Sequence, residues 1–571
     1  MKINLINIIL LLCTVLISCS NKDFPTDTTK KAPASLHVAV TIAGASATNP
    51  GGDGSGIVTF TLSASNATYY QLVLPTQNAI LKLDSAAGGK IQYSFGSHPA
   101  TLFSYPVQVS AYNQYGHADT TFFVSVYFAV PKSQVAFWKT YPAGGVLFSK
   151  QNTALNFQQV SNSYPTIVVD STQTFQTMDG FGFALTGGSA SLLNGLSGAN
   201  KTSILKELFG TDSTFIGTSY LRISIGASDL SSHPFSYDEV AGDSTLQYFS
   251  IDMEKTDLIS ILKQILQINP HIKIIATPWS APFWMKTSNS YSGGSLKPEC
   301  YDCYARYFVK YIQAMEAQGI PIEAITPQNE PLNAYNNPAM LMVSNDENNF
   351  IKNDLAPQFK ANGITSKIIV YDHNLDHPEY ATQILSDHTT YQLVDGSAFH
   401  LYAGNINTMS SVHSSYPNKN LYFTEQYTSS TGDFAGDIQW HVQTLIIGAT
   451  RNWSKNVIEW NLASDPNMGP HTSGGCTTCL GAITISGENV IKRNQSYYII
   501  AHAAKFIRPG AVRIGSTNLD NLPNVAFQNQ DGTKVLIVLN TSSNTQIFNI
   551  NFNNKVISPS LEPGSVGTFV W

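Results

Sequence analysis

Residues 322–331 read IEAITPQNEP, an apolar run of strand length with an amide and a carboxylate directly behind it. Such a run is typical of a buried strand that ends in a loop. A second run, NLYFT at 420–424, is followed by Glu425. Barrel enzymes hold their reacting groups on strand ends, which are stiff platforms. Because cleavage of a glycosidic bond requires two carboxyl groups, Glu330 and Glu425 are candidates for that chemistry.

Strand-like runs alternate with helix-like stretches on both sides of this point. In residues 302–318 the apolar positions Phe308, Val309, Ile312 and Met315 follow one helix face. The predicted strands are 180–184, 219–225, 272–277, 322–327, 366–371, 393–400, 421–425 and 457–462. Eight strand–helix units predict a (β/α)8 TIM barrel, which we assign to residues 176–509.

All-β patterns flank the barrel, so the predicted fold is multi-domain. Residues 33–130 contain short alternating runs separated by turn clusters such as NPGGDGSG at 49–56, which predicts a small β-sandwich. It resembles the immunoglobulin-like modules of exported hydrolases. We interpret it as a spacer rather than a sugar-binding module, because it lacks a clustered aromatic platform. Residues 131–175 and 510–571 are predicted to form one further sandwich from both sides of the barrel.

The N-terminus has the pattern of an export signal. Lys2 precedes a short apolar segment, residues 5–17, that ends in LISC with Cys19. This resembles a bacterial lipobox, in which Cys19 is lipidated after removal of the signal peptide. Residues 1–19 are therefore predicted to be a lipoprotein signal, and 20–32 a linker. We expect a lipid anchor in the outer membrane, on its surface or periplasmic face; an ordinary signal peptide with an incidental cysteine is the alternative.

Composition excludes several functions. The chain has 571 residues, a net charge of −6 and only 12% charged residues, so no nucleic-acid partner is expected. The histidines show no metal-ligand spacing, and no phosphate-binding glycine loop lies between a strand and a helix. We therefore predict no catalytic metal and no cofactor.

Two CxxC pairs lie within the barrel region. They are Cys300 with Cys303 and Cys476 with Cys479. In an exported protein disulfides are expected, and four cysteines allow three connectivities. A structural zinc site with four thiolates is the alternative, since the spacing also fits it.

Several motifs together resemble one enzyme family. They are GFGFALT at 180–186, RISIGASD at 222–229, ATPWSAPFWMKT at 276–287, WNLA at 460–463 and KFIRPG at 505–510. In this order they resemble glycoside hydrolase family 30, the glucosylceramidase-like family. The resemblance covers about residues 180–510. It implies a retaining mechanism with Glu330 as general acid/base and Glu425 as nucleophile.

That mechanism sets physical requirements. The two carboxyl groups must lie ~5–5.5 Å apart. The acid must carry a proton near neutral pH, so we expect the pKa of Glu330 to be raised by burial and by the charge of Glu425. The nucleophile must stay ionised, which requires hydrogen-bond donors around it.

The resemblance also implies substrate-binding residues. The Asn329 amide would donate to a sugar 2-hydroxyl, and Asp229 would accept from sugar hydroxyls unless it forms a salt bridge with Arg222 instead. Tyr402 would donate to the nucleophile, with His400 orienting the network or serving as a satisfied core histidine. Trp279 would line the sugar pocket and Trp460 would form its floor.

The loops 332–338 and 474–479 depart from the lipid-cleaving members of the family. Loops at this end of a barrel set specificity, so ceramide is in doubt. We expect a carbohydrate substrate, a β-glucan with β-1,6 linkage favoured. Glucosylceramide, β-xylosides and β-galactosides are alternatives within the family. The alternative from another class is a non-catalytic glycan-binding surface lipoprotein.

Overall fold

The computed structural model describes residues 31–47, 49–74, 79–95, 102–128, 133–212 and 214–571. The chain divides into two compact units, 1–131 and 132–571. The predicted signal segment with Cys19, and most of the linker, lie outside the described residues. Among the helices that are described, none combines the length and apolarity that a membrane span requires.

The first unit contains two antiparallel sheets around one apolar core. A three-stranded sheet has the order 34–42, 57–65, 90–94, and a four-stranded sheet has the order 79–84, 69–74, 102–113, 116–127. Alternate residues of the strands, such as Val58, Phe60, Val107 and Val109, are buried between them. This alternation is what a half-buried strand requires. The immunoglobulin-like assignment stays a prediction.

The second unit is built on a closed barrel of eight parallel strands. In chain order they are β1 (Gly180–Ala184), β2 (Tyr220–Ser224), β3 (Lys273–Thr277), β4 (Ala324–Ile325), β5 (Lys367–Leu375), β6 (Gly396–Gly404), β7 (Asn420–Glu425) and β8 (Ser454–Asn461). The predicted TIM barrel is confirmed, with β4 shorter and β5 and β6 extending further than the apolar runs indicate.

Strand alternation fills the barrel and directs the site residues. Tyr220, Ile275, Ile369, Tyr422 and others form an inner layer, while their neighbours pack outward against the helices. On β1 the inner layer has Gly182, where a Cβ would stand 1.8 Å from the Tyr220 carbonyl oxygen, so only glycine allows the two strands to pair this closely. Two residues after Tyr220, towards the carboxyl end of β2, Arg222 points to the same inner side of the barrel.

Helices surround the barrel and supply its outer core. The α-helices are Gly187–Asn194, Gly198–Phe209, Leu258–Ile268, Tyr301–Ala317, Ser344–Phe350, Ala356–Ala361, Pro378–Ser386, His388–Leu393, Thr408–Ser415, Phe434–His441 and Gln495–Ala504, with π-helical turns at Ile351–Leu355 and Val442–Ala449. In the helix predicted from residues 302–318, the apolar stripe Phe308, Val309, Ile312 and Met315 is buried.

A nine-stranded sheet accompanies the barrel and draws strands from both sides of it. Its order is Lys555–Ile557, Asn549–Phe552, Thr166–Thr177, Val512–Ser516, Asn524–Gln528, Lys534–Leu539, Val566–Val570, Ala136–Tyr141 and Val146–Lys150. The segments before and after the barrel therefore share one β structure, as the sequence predicts. Short strands at 428–429, 463–464, 479–480, 483–486, 490–493, 546–547 and 560–561 complete the unit.

Candidate active site

Glu330 and Glu425 come together at the carboxyl end of the barrel. Glu425 is the last residue of β7, and Glu330 lies in the loop five residues after β4. Both are buried, and one carboxylate oxygen of each lies within 4.8 Å of the other and of a ring nitrogen of His400. Separation of this size fits a retaining pair and leaves no room for the water that an inverting pair must hold between its carboxyl groups.

The pair opens onto a pocket of about 480 Å³. Every predicted sugar-contacting residue except His400 lines this pocket. These residues are Asp229, Trp279, Asn329, Tyr402 and Trp460. A pocket of this size suits a small-molecule or sugar ligand. The outer rim consists mainly of polar side chains from the loop after β4, from the end of β5 and from the loop after β5. They are Asn333, Asn336, Asn374, Asp376 and His377.

Glu330 has a left-handed backbone, with φ of 43°. A non-glycine residue in this region costs free energy and is held there only by its surroundings. Here the Glu330 backbone amide donates to the Asp372 carbonyl at 3.0 Å, and the side-chain Nδ2 of Asn333 donates to Glu330 Oε2 at 2.8 Å. The chain therefore turns sharply enough to direct the Glu330 carboxylate back into the pocket.

Arg222, on β2, connects the loop after β4 with strands β5 and β7. Its Nη1 donates to Glu425 at 2.5 Å, while Nη2 donates to Asp372 at 2.8 Å and to Asn329 Oδ1 at 2.6 Å. The guanidinium is fully buried and stacks within 4.9 Å of the Trp279 ring. Arg222 donates to the side-chain oxygen of Asn329, so the side-chain nitrogen of Asn329 is left to face the pocket.

Asp372 is a site residue that sequence reasoning missed. It lies within β5, accepts hydrogen bonds from Thr326 and Thr424, and pairs with Arg222. Tyr371 and Asp372 both have positive φ, which interrupts the strand alternation and turns this carboxylate inward. Burial raises the pKa of Asp372, but the charge of Arg222 and the hydrogen bond from His400 hold it well below its ordinary range. The only sequence signal was the polar run YDHN at 371–374.

His400 lies between three carboxylates. Its Nε2 is 3.1 Å from Asp372 Oδ1, and its Nδ1 is 3.3 Å from Glu330 and 3.9 Å from Glu425. Burial lowers its pKa, but the charge of Glu425 and the hydrogen bonds to Asp372 and Glu330 raise it to about 9. The surrounding carboxylates therefore favour the imidazolium form of His400, whose two ring nitrogens both have hydrogen-bond partners.

The expected high pKa of Glu330 is wrong for the empty site. Burial raises the pKa of this carboxyl, but the hydrogen bond and charge of His400 outweigh that effect and hold it at about 2. The sequence argument counted burial and the neighbouring Glu425, and it missed a cation 3.3 Å away. The Glu330–His400 pair in the empty site therefore favours an ionised Glu330 beside a protonated His400.

Glu425 is surrounded by donors. Tyr402 Oη donates to Oε1 at 2.9 Å, and Arg222 donates to Oε2. Burial raises the pKa of Glu425 above its ordinary value, while the charges of His400 and Arg222 act in the opposite direction. The donors are those that an ionised carboxylate needs in a buried position.

The inner wall of the pocket is aromatic and acidic. Trp279 and Trp460 stack with ring centroids 5.3 Å apart, and both are buried. The salt bridge between Asp229 and Arg222, the alternative to sugar binding, is wrong, because Arg222 pairs with Asp372 and Glu425. Burial and the charge of Glu425 raise the pKa of Asp229 to about 7.

The two CxxC pairs differ. Cys476 and Cys479 form a disulfide beside the pocket, whereas Cys300 and Cys303 are free. The expectation of a disulfide is therefore wrong for Cys300 and Cys303. Cys300 ends a 3-10 turn and Cys303 lies in the helix that follows, Tyr301–Ala317. The disulfide also consumes two of the four thiolates that the alternative zinc site requires.

Glu330, His400 and Glu425 are the three described residues whose ligand atoms lie close enough to share a metal ion. However, the imidazolium of His400 has no free lone pair for a metal, and the Arg222 guanidinium already occupies Glu425. The donor set therefore suits a proton-transfer site better than a cation site.

Two further pocket residues were missed. His373 Nε2 lies 4.0 Å from Glu330 Oε1, and burial lowers its pKa to about 4. Tyr427 packs 5.6 Å from the Tyr402 ring and lines the same pocket. Each lies two residues after the end of a predicted strand, which was the signal available in the sequence.

Comparison with known proteins agrees with this geometry. The glycosyl hydrolase family 30 TIM-barrel domain matches residues 178–507, and the family's beta sandwich domain matches 510–569. An endo-1,6-beta-D-glucanase of Trichoderma harzianum is 35% identical over 69% of this chain and 84% of its own length. The lysosomal acid glucosylceramidase of Mus musculus is 28% identical over 71% and 82%.

A solved endo-beta1,6-glucanase superimposes with a TM-score of 0.73 at 35% identity, covering 77% of this chain and 99% of that structure. The family match extends over more than half of the chain and includes both the barrel and its sandwich. The chain therefore belongs to glycosyl hydrolase family 30 and is a retaining β-glycoside hydrolase.

Proposed function

We propose that this enzyme cleaves β-1,6-linked glucan by double displacement, with Glu425 as nucleophile and Glu330 as acid/base. The observation that carries the proposal is the buried carboxylate pair, with oxygens within 4.8 Å of each other at the mouth of one pocket. The 35% identity to glucanases whose names specify the 1,6 linkage supports the substrate.

In the first step Glu425 attacks the anomeric carbon and the bond to the leaving oxygen breaks. The attack forms a glycosyl ester on Glu425, and the leaving oxygen takes a proton from Glu330. Arg222 and Tyr402 keep Glu425 ionised and fix its attacking oxygen. The Asn329 amide faces the 2-hydroxyl, where a hydrogen bond strengthens as charge develops on the sugar ring.

The proton for this step is held on the His400–Glu330 pair. In the empty site it resides on His400, 3.3 Å from Glu330. When Glu425 becomes an ester its negative charge disappears, and with it a principal reason for the imidazolium. His400 then returns its proton through Glu330 to the leaving oxygen, so the site as a whole loses one proton.

In the second step the ionised Glu330 accepts a proton from water, while the water oxygen attacks the anomeric carbon and the bond from that carbon to Glu425 breaks. The sugar leaves with the configuration it had at the start, and Glu425 regains its charge. That charge again favours the imidazolium, so the proton returns to His400. The two residues together therefore act as one acid/base unit.

The rim favours a polysaccharide over a ceramide. Beyond the acid/base the pocket walls carry amides, a carboxylate and histidine, and Tyr335 is 95% exposed at its edge. Leu332 is the one aliphatic side chain among the pocket's lining residues that are described. Sugar hydroxyls can satisfy such groups, whereas lipid chains would leave them without partners.

Product analysis tests the proposal. The purified protein would be incubated with β-1,6-, β-1,3- and β-1,4-glucans, xylan, glucosylceramide and an aryl β-galactoside. We expect short β-1,6-linked oligosaccharides from the first substrate alone at high rate, and none with Glu425→Gln. Faster release from glucosylceramide or xylan would contradict the substrate assignment. Glycan binding without release from any substrate would favour a non-catalytic binding protein.

We further propose that the mature chain is exported and anchored to the outer membrane through a lipid on Cys19. The lipobox-like sequence supports this location. The first unit would act as a spacer between anchor and enzyme. Metabolic labelling with a palmitate analogue should mark the wild type and spare Cys19→Ala.

A further inference from the structure

The loop that carries the Cys476–Cys479 disulfide closes over the sugar-binding side of the pocket. It follows β8 and returns through the short strand Cys479–Leu480, which pairs with Thr428–Ser429 behind β7. Cys479 is buried in one cluster with Trp279 and Trp460, and it lines the pocket itself. One end of the disulfide is thus fixed against the aromatic wall.

The other end of the disulfide lies against Asp229. The Cys476 amide faces Asp229 Oδ2 at 3.4 Å, and the Thr472 amide donates to the Asp229 carbonyl at 2.8 Å. Between them, a Cβ at Gly475 would stand 2.4 Å from the Asp229 carbonyl oxygen, so the loop can approach this closely only as glycine. The loop therefore contacts both the backbone and the carboxylate of Asp229.

Further hydrogen bonds tie the loop to the neighbouring loops of the active face. Ser430 donates its amide to the Thr478 carbonyl at 2.9 Å, and Asn337 donates its side chain to the Ser473 carbonyl at 3.0 Å. These bonds involve backbone carbonyls at the edges of the loop. The Cys476 amide faces Asp229 at 3.4 Å, the Cys476 sulfur lies 3.9 Å from the Thr478 hydroxyl, and the Gly475 amide donates to the Thr472 carbonyl at 3.0 Å.

The disulfide is suited to local positioning rather than to global stability. It joins residues three positions apart, and a ring this short removes little entropy from the unfolded chain. What it does constrain is the direction of the Cys476 amide relative to the buried Cys479. The enzyme's other cysteine pair, with the same spacing and away from the pocket, is free.

We propose that the Cys476–Cys479 disulfide positions Asp229 for sugar binding by holding the Cys476 amide against its carboxylate. The proposal rests on the assignment of Asp229 to the sugar-binding pocket. The amide favours the ionised form of Asp229, which accepts hydrogen bonds from sugar hydroxyls most strongly. When the disulfide is absent the loop moves away, Asp229 is more often protonated at neutral pH, and sugar binding weakens.

The test compares Cys476→Ala/Cys479→Ala with the matched control Cys300→Ala/Cys303→Ala, using an aryl β-glucoside. For the first variant we expect KM to rise roughly tenfold to a hundredfold, as for loss of a hydrogen bond to a charged group, with a smaller change in kcat. We also expect the acidic limb of the pH profile of 1/KM to move to higher pH. The control should match the wild type in KM and in pH profile.

Chemical reduction tests the same disulfide without the double substitution, so a folding defect in the variant cannot account for the result. Treating the control protein with a phosphine reductant should reproduce the rise in KM, and reoxidation should reverse it. Peptide mapping after alkylation should find residues 476 and 479 bonded before reduction and alkylated after it. Unchanged KM and pH profile in both experiments, or free thiols at these positions in the untreated enzyme, would overturn the proposal.

Hydrogen–deuterium exchange separates this proposal from the proposed function. Exchange at residues 227–232 should increase at least threefold in Cys476→Ala/Cys479→Ala and stay unchanged in the control, whichever glycoside the enzyme prefers. If the wild type is inactive but exchange at residues 227–232 still differs between the two variants, only the β-1,6-glucanase assignment is contradicted. An active wild type without the difference would sink the positioning role alone.

Discussion

Both ends of the barrel carry a cluster of charged side chains, but one cluster is buried and the other is partly exposed to solvent. At the carboxyl end, Arg222, Asp372 and His400 are fully buried around Glu425. At the amino end, Lys273 bonds Asp179 at 2.8 Å and Lys367 bonds Glu323 at 2.9 Å, but the side chains of Lys273 and Glu323 are 26% and 38% exposed.

The difference shows what each cluster can be for. Exposed ion pairs gain little free energy, because water screens them and would solvate each partner well. Buried charges are costly to desolvate, and they persist where function needs a fixed field. The charges at the carboxyl end are therefore fixed in position for catalysis. The ion pairs at the amino end link the first residues of neighbouring strands with little desolvation penalty.

Glu425→Gln gives the largest expected effect at the buried end. The amide keeps the shape of the side chain but cannot form the glycosyl ester. We expect kcat/KM to fall by roughly 10⁴-fold or more, with the protein still folded. Initial rates on a β-glucan would measure it, with circular dichroism as the control for folding. A loss under tenfold would mean that Glu425 is not the nucleophile.

Glu330→Gln should follow. Loss of the acid/base costs ~10²–10⁴-fold, and less for an aryl glycoside whose leaving group needs no proton. The ratio of rates on an activated aryl glucoside and on glucan should therefore rise in the variant. Equal losses on both substrates would contradict the acid role.

Arg222→Met tests the energetics of the buried cluster. Removing the guanidinium leaves Asp372 and Glu425 without their shared cation, and we expect the free energy of unfolding to fall by about 3–5 kcal/mol. Urea denaturation would measure the change. Arg222→Lys is the matched control, because it keeps the charge while losing the fork that reaches two carboxylates. A loss below 1 kcal/mol in Arg222→Met would remove the contrast between the two ends.

His400→Gln sharpens the comparison through pH. The pKa of His400 is raised from about 6.5 to about 9 in the folded protein, so its charge stabilises the fold fully below pH 6.5. That contribution is lost as the pH rises through 9. The wild type should therefore exceed the variant in stability most at pH 6, and the gap should narrow by pH 9.5. A gap that stays constant would contradict the imidazolium.

Lys273→Met should have the smallest effect. At the amino end the lysine is partly solvated, and we expect a loss of about 0–1 kcal/mol in the free energy of unfolding, with unchanged kcat/KM. The same denaturation series would measure it. A loss comparable to that of Arg222→Met would show that exposure does not separate the two clusters.

The sequence predicted the scaffold well because apolar runs report burial directly. All eight barrel strands follow from such runs, and Glu425 lies where its run ends. Asp372 could not be predicted in the same way. Strand alternation would send Tyr371 and His373 to one face, and only the left-handed backbone at Tyr371 and Asp372 turns the aspartate inward.

Proton positions were also beyond the sequence. The expected pKa of Glu330 failed because it depends on His400, seventy residues further along the chain, at a distance of 3.3 Å. Likewise, identical CxxC spacing did not distinguish a pair at a helix start from a pair in a loop. Side-chain separations in space decide both properties, and spacing along the chain does not report them.

The central claim is that Glu425 forms a covalent bond to the sugar. The most direct test is to incubate the enzyme with a 2-deoxy-2-fluoro-β-glucoside that has an activated leaving group, and to map the labelled peptide by mass spectrometry. We predict a single glycosyl adduct on Glu425 that is released slowly and restores activity. A label on another carboxylate, or no adduct together with an α-configured first product, would contradict the account.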